Sequence, residues 1–439
     1  MAKFQSNPNA IGLSLLRRIS SSGVLEKTGL KAPFEKMIYE GSRRGFQAGA
    51  AGSRAFKAVK KLGKPQRPET SGSPTLFDLT PNDEQAMIRD SVARYAVERL
   101  RAAAHDADTA CAAPQEIVAG AAELGLAMMS VPEALEGGGS DMSPVTGALI
   151  AEAMAHGDMG LAIACLAPVG VANLLTRYGS AEQQASYLAP FAEELPPAAA
   201  LAILEPEPLF DPATLRTQAH TRGDKVILSG EKSLVPLAET AEVFLVAAAD
   251  SDGKPQIYIV ESKAKGLTVK ADPGMGIRAA SLGSLHFDKV ELPASAKLGE
   301  AKGCDYYQVL ALSRLAWCAM AVGTGQAVLD YVIPYVNERQ AFGEPISNRQ
   351  SVAFMVADMA LELEGMRLAT WRAAALAEQG KAFNREAAVA HNLCSRHGMQ
   401  IGSNGVQLLG GHGFVKEHPV ERWYRDLRAV GVMHGGVCL

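Results

Sequence analysis

The sequence has no paired cysteines. Its six (Cys111, Cys165, Cys304, Cys318, Cys394 and Cys438) are scattered over 439 residues, with no CxxC and no zinc-type spacing. That scatter argues against a disulfide scaffold and predicts reduced thiols. No apolar run approaches the roughly 18–20 residues that cross a bilayer. There is no GxGxxG behind a strand, no P-loop, no HExxH and no GxSxG. Those absences remove the commonest dinucleotide, nucleotide-phosphate, zinc-protease and serine-hydrolase readings. The nine histidines form no metal set. His391 and His397 fall on a helix and His412 and His418 flank a Gly-Phe-Val loop, positions expected of hydrogen-bonded structural residues.

Hydrophobic residues make up 48% and charged residues 21% of the chain, as in ordinary globular proteins, and the length allows two or three domains. The net charge of -4 conceals an asymmetry. Residues 1–70 carry 14 Lys/Arg against 4 Glu, a net of +10, so the remainder carries -14. A basic arm on an acidic body predicts either an anionic partner or packing of the arm on its own body. No nucleic-acid motif accompanies it. The first 25 residues hold Lys3, Arg17, Arg18, five serines and no acid, with Ile11, Leu15 and Ile19 four apart. An amphipathic helix of this kind fits a membrane-surface segment or a mitochondrial transit peptide. The expected location is therefore cytoplasmic and peripheral to the inner face of a membrane, with the mitochondrial matrix as the alternative.

Organisation follows from changes in periodicity. The Pro/Gly/Ser-rich stretch 63–74 reads as a linker, which makes 1–74 an extension. Thr80, Pro81 and Glu84 read as a helix start, and helices are expected through 81–195, at 114–124, 143–156, 169–178 and 181–193. From about 197 to 295 the runs shorten and become β-branched ("KVILSG", "EVFLVAAAD", "QIYIVES", "LTVKAD", "SLHFDKVELP"), with Gly223-Asp224 and Asp252-Gly253 as turns. Long helices return after residue 304; Val352, Met355, Met359, Leu363 and Met366 form a buried stripe. The expected domains are 75–196 (helical), 197–300 (β) and 301–439 (helical bundle), an α+β architecture.

Two C-terminal clusters carry chemistry. In "NERQAFGEPISNRQ" (337–350), an arginine and an aromatic beside a turn suit a phosphate and a ring. In "GVQLLGGHGFVKEHPVERWYRDLR" (405–428), Gly410, Gly411 and Gly413 bring backbone N–H groups close to a ligand. Glu421, Arg422, Arg425 and Asp426 read as a structural charge network. Near the last residue, His434 stands before Gly435 and Gly436, where a titratable ring and open backbone could face a substrate.

RQAFGEPI…Q and QLLGGHGF…KEHPVERWYRD resemble the two C-terminal signatures of the acyl-CoA dehydrogenase family, and the likeness covers about 75–439 with the same domain order. The resemblance implies an N-terminal helical domain, a middle β-barrel or sandwich, and a C-terminal four-helix bundle. It further implies FAD, a fatty acyl-CoA substrate desaturated between Cα and Cβ, electron-transferring flavoprotein as acceptor, and a homodimer or dimer of dimers. No metal is implied. Arg339, Phe342 and Gln350 would meet the cofactor, with Gln407, Gly410 and Gly411 reaching it from the other subunit. Arg314 would lie beside the acyl-CoA, with Phe210 and Gly435 also at the substrate.

The departures from the family pattern are specific. Leu204 and Phe210 replace a threonine and a serine of the family's β-domain signature, and Leu234 and Pro236 stand in its Trp-x-Thr. Each lost hydroxyl removes a hydrogen bond worth roughly 0.5–1.5 kcal/mol. The catalytic glutamate position holds His434, and the alternative base position, before the helix arginine, holds Ser313. His434 is then the expected base. Two other readings remain open: a non-catalytic partner subunit or acyl-CoA binder, and a flavin monooxygenase on the same fold.

Overall fold

The computed structural model describes residues 81–139 and 143–439, and Lys36 besides. The chain divides into two units, Met1–Leu76 and Phe77–Leu439, and the architecture below belongs to the second. The amphipathic helix expected around Ile11–Ile19, the linker at 63–74 and Thr80 lie outside the described residues.

The first helix, α1 (Asp83–Tyr95), is capped by Asn82 in place of the expected Thr80. The Asn82 side chain accepts the Gln85 N–H at 2.8 Å, and the Gln85 side chain accepts the Asn82 N–H at 3.1 Å, a reciprocal capping box. A π-helical turn at Ala96–Leu100 joins α1 to α2 (Arg101–Ala110). Then follow α3 (Gln115–Ala122), α4 (Pro144–Gly157) and α5 (Met159–Tyr178). Helix α5 begins ten residues before the expected 169. Its start is fixed by Asp158, whose carboxylate accepts the Leu161 N–H at 3.0 Å. Residues 181–192 form a broken run of short helical turns where one helix was expected.

The β-domain contains β1 (Ala199–Ala202), β2 (Gln218–Arg222), β3 (Lys225–Val235), β4 (Val243–Ala249), β5 (Pro255–Glu261), β6 (Leu267–Ala271) and β7 (Gly283–Pro293). Gly223 and Asp224 make the two-residue turn of the β2–β3 hairpin, as their sequence predicts. The sheet order is β10-β1-β4-β2-β3-β7-β6, with β5 also on β4. A separate two-stranded ribbon pairs β8 (Gln340–Ala341) with β9 (Glu344–Pro345), and strand β10 (Gly435–Gly436) comes from the far end of the chain and pairs antiparallel with β1.

The bundle consists of α6 (Tyr306–Glu338), α7 (Gln350–Glu378), α8 (Asn384–Leu409) and α9 (Val420–Ala429). Of the expected stripe on α7, Met359, Leu363 and Met366 are buried. Helices α5 and α6 are long and apolar enough to cross a membrane, which corrects the reading that no such run exists. The most apolar window of each is 94% and 78% buried within the protein, so both are core helices here.

Helix α9 joins the three domains through charge. Arg422 donates to Asp158 at 3.0 Å, and Arg425 grips Asp108 at 2.9 and 3.0 Å and also pairs with Glu421. Asp426 accepts the Ile277 N–H of a β-domain loop at 2.6 Å. All four residues of the network expected from sequence take part. Asp158 is 1% exposed, so Arg422→Ala strands a buried carboxylate. The expected loss is about 3–5 kcal/mol in urea unfolding.

Candidate functional site

His434 is placed by the segment that follows α9. Gly435 and Gly436 have φ of 79° and 77°, a region costly for residues with a Cβ. A Cβ at Gly435 would lie 3.0 Å from Ile203 Cβ, and one at Gly436 3.5 Å from Pro236 Cγ. The two glycines therefore let β10 press onto β1, where Gly436 pairs with Leu201 and Gly435 with Ala202. From α6, Ser313 Oγ accepts the Gly435 N–H at 3.2 Å, and Trp317 Nε1 donates to the Gly435 carbonyl at 2.9 Å. Gly435 is thus occupied on both sides and is not the free substrate-binding backbone expected. Its role is to fix His434.

Around His434 the structure gathers groups from three separate stretches. Phe210 tilts against its ring at 5.9 Å between centroids, and His391 of α8 lies 6.1 Å away. Arg314 of α6 is half-buried and interacts electrostatically with both imidazoles. Burial, then the neighbouring His391, then Arg314 hold the His434 imidazole down to about 4. Burial and Arg314 hold His391 down to about 4 as well, against a hydrogen bond with the Val430 backbone. Both rings are therefore neutral near pH 7. His434 Nδ1, His391 Nε2 and Arg314 Nε are buried without a hydrogen-bond partner. His391 is the residue that sequence reasoning missed; it was read as structural, and its 43-residue separation from His434 gives no local signal.

The second cluster is a cavity of about 860 Å³ walled by Arg339, Phe342, Arg349, Gln407, Gly410 and Gly411, among others. Arg339 and Phe342 thus meet Gln407 and the glycines within one subunit, where separate subunits had been expected. Gln350 is exposed at the first turn of α7, outside this wall. Its neighbour Arg349 takes the place instead, with its guanidinium 5.5 Å over the Phe342 ring. Tyr335 donates to, or accepts from, His412 Nδ1 at 2.9 Å at the same rim.

Leu204 and Pro236 are buried against the chain's own residues, so neither offers the free surface expected of a cofactor contact. The Leu204 carbonyl accepts the Ser233 N–H at 2.9 Å, and Pro236 is covered by Gly436. Leu234 instead borders a smaller cavity of about 190 Å³, between the loop 274–282 and α9, with Met433.

The lowered imidazoles have a thermodynamic consequence. The folded state takes up protons at His391 and His434 less readily than the unfolded chain, whose histidines titrate near 6.5. Their contribution to stability is full above about pH 6.5 and is lost as pH falls towards 4. Denaturant titrations over that range should show a smaller loss in His391→Gln than in the wild type.

The chain matches the acyl-CoA dehydrogenase N-terminal domain over residues 82–194, the middle domain over 200–290 and the C-terminal domain over 305–436. The mitochondrial short-chain specific acyl-CoA dehydrogenase of Mus musculus is 32% identical over 80% of this chain and 86% of its own length. The probable acyl-CoA dehydrogenase YngJ of Bacillus subtilis (strain 168) is 32% identical over 82% of this chain and 96% of its own. Butyryl-CoA dehydrogenase from Megasphaera elsdenii superposes with a TM-score of 0.74 at 28% identity, covering 81% of this chain and 95% of that one. A structure described as the FAD complex of PigA does so with a TM-score of 0.74 at 26% identity, over the same shares. With three domains matched in order over most of the described residues, this chain belongs to the acyl-CoA dehydrogenase family, FAD-dependent oxidoreductases acting on CH–CH bonds.

Proposed function

We propose that this chain dehydrogenates a short acyl-CoA between Cα and Cβ, with His434 as the base. The observation that carries the reading is the half-buried, neutral imidazole of His434, fixed between Phe210, His391 and Arg314. A neutral imidazole can accept the α-proton, and Gly435, anchored by Ser313 and Trp317, fixes the backbone next to it. Phe210 shields one side of the ring from water. The short-chain preference rests on the relatives' names, and electron-transferring flavoprotein is proposed as acceptor on the same ground.

The residues fit the dinucleotide end of FAD. Two guanidiniums, Arg339 and Arg349, an exposed Phe342 ring and the open backbone of Gly410 and Gly411 match a diphosphate and an adenine. Leu234 and Met433, which border the smaller cavity, would give a flavin ring apolar contact. The chemistry FAD supplies when bound is acceptance of the β-hydrogen as hydride.

Self-association as a dimer or dimer of dimers has support on α7, where Phe354, Leu361 and Leu368 are exposed at intervals of seven residues. The proposal of membrane contact through residues 1–70 rests on their charge alone.

Two measurements test the reading. His434→Ala should lower turnover with short acyl-CoAs by about 10²–10⁴-fold while the flavin absorbance of the purified protein is unchanged. Undiminished turnover would remove His434 as base. Arg339→Gln should weaken FAD retention by about tenfold or more, read as flavin content after dialysis, because a charge-assisted contact is lost.

A further inference from the structure

We propose that the Arg314–His391–His434 cluster receives a carboxylate carried on the acyl group, so that the substrate is the thioester of a short dicarboxylic acid. The inference rests on the reading of the site as an acyl-CoA site and adds the class of acyl group.

The argument begins with charge. Arg314 is half-buried and makes no ion pair with any described residue, and its Nε is buried without a partner. The groups that face it are His391, His434, Tyr306, Cys318 and Asp211, and burial holds the Cys318 thiol in its uncharged form. The Tyr306 hydroxyl is spent on the Pro212 carbonyl at 2.7 Å. Asp211 is exposed and lies beyond ion-pair distance, so solvent screens it. The two imidazoles are neutral. The interior side of this cluster therefore holds one positive charge and no counter-ion.

Two other enclosed arginines are treated differently, whereas Arg101, whose Nε is also buried without a partner, is hydrogen-bonded only to the His156 carbonyl and ring among the described residues. Arg422 and Arg425, comparably enclosed, are paired with Asp158 and with Asp108 and Glu421. A guanidinium with a buried, unpartnered Nε beside two unpaired ring nitrogens is costly, because each buried orphan forfeits a hydrogen bond that it makes in water. A ligand carboxylate satisfies the set. One oxygen accepts from Arg314 Nε–H. The other lies against His391, whose hydrogen bond to the Val430 backbone leaves Nε2 turned to the cluster. The negative charge draws a proton onto that nitrogen, which then donates. His434 remains free to face the α-carbon. In the family pattern the base position carries a carboxylate; in this chain it carries an imidazole, and the missing negative charge arrives with the substrate.

Thioether analogues of glutaryl-CoA and pentanoyl-CoA, in which a methylene replaces the thioester carbonyl, match in length and cannot react. Isothermal titration of the flavin-loaded protein should give binding at least about tenfold tighter for the carboxylate-bearing analogue. Arg314→Gln and His391→Gln should each reduce that preference to about twofold or less, and Arg314→Lys should retain part of it. Equal affinity of the wild type for both analogues overturns the inference and leaves the dehydrogenase reading standing. Equal weakening of both analogues in Arg314→Gln also overturns it, by assigning the charge to a CoA phosphate. Failure of both analogues to bind the wild type overturns the inference and the acyl-CoA reading together.

Discussion

Helix α9 holds the site in place through buried charge. Arg422 reaches the N-terminal domain at Asp158, Arg425 reaches it at Asp108, and Asp426 takes the Ile277 N–H of the β-domain. Three domains thus meet on one ten-residue helix. Its end sets the direction of residues 430–436, and so the place of His434. The carboxylates pay for this position. Burial pushes Asp158 up while Arg422 pulls it down, and burial together with Asp158 pushes Asp426 up to about 8. Such an arrangement tolerates little loss of a partner. It also makes the geometry of the imidazole a property of the whole fold.

From that anchor the chain runs into β10, and here packing takes over from charge. Strand β10 has two residues, both glycine. No intrinsic propensity makes it a strand. It exists because β1 presents an edge and because the glycines allow contact with Ile203 and Pro236. Ser313 and Trp317 then lock Gly435 from α6. Where the family pattern has a second possible base, this chain has a serine whose hydroxyl is used to hold backbone. Ser313 and His434 are therefore linked structurally: one steadies the other.

What could be read from the sequence divides along the same line. Domain order, the β2–β3 turn at Gly223-Asp224, the α7 stripe and the charge network on α9 depend on local pattern, and all are present in the structure. The Arg339–Phe342 and Gln407–Gly411 clusters were visible as motifs, but their meeting in one cavity was not, since 65 residues separate Phe342 from Gln407. Strand β1, "AALA", lacks β-branched residues, and its alanines read equally as helix. The first ten residues of α5 were hidden by glycine and alanine, which carry no periodicity when a helix is buried all round. Gln350 comes from the family resemblance, whereas the place of Arg349 over the Phe342 ring depends on how the chain turns between them. His391 had no signal at all: only tertiary structure brings α8 to α6.

Replacement of a carboxylate by an imidazole changes more than the identity of a base. A carboxylate next to Arg314 would neutralise it and would itself be held ionised; the pair would be complete without a ligand. An imidazole in the same enclosure is driven the other way, to the neutral form: burial first, then His391, then Arg314 bring His434 down to about 4. The site is then uncharged at both rings and positive at Arg314 alone. Protonating His434 during catalysis adds a second positive charge to that enclosure, which is unfavourable unless a negative group is present. A neutral acyl chain supplies none, whereas an acyl chain ending in a carboxylate supplies one at the place where the imidazolium forms. The same electrostatics that weaken His434 as a base in the free protein would strengthen it once such a substrate is bound, so selectivity and basicity are coupled through one guanidinium.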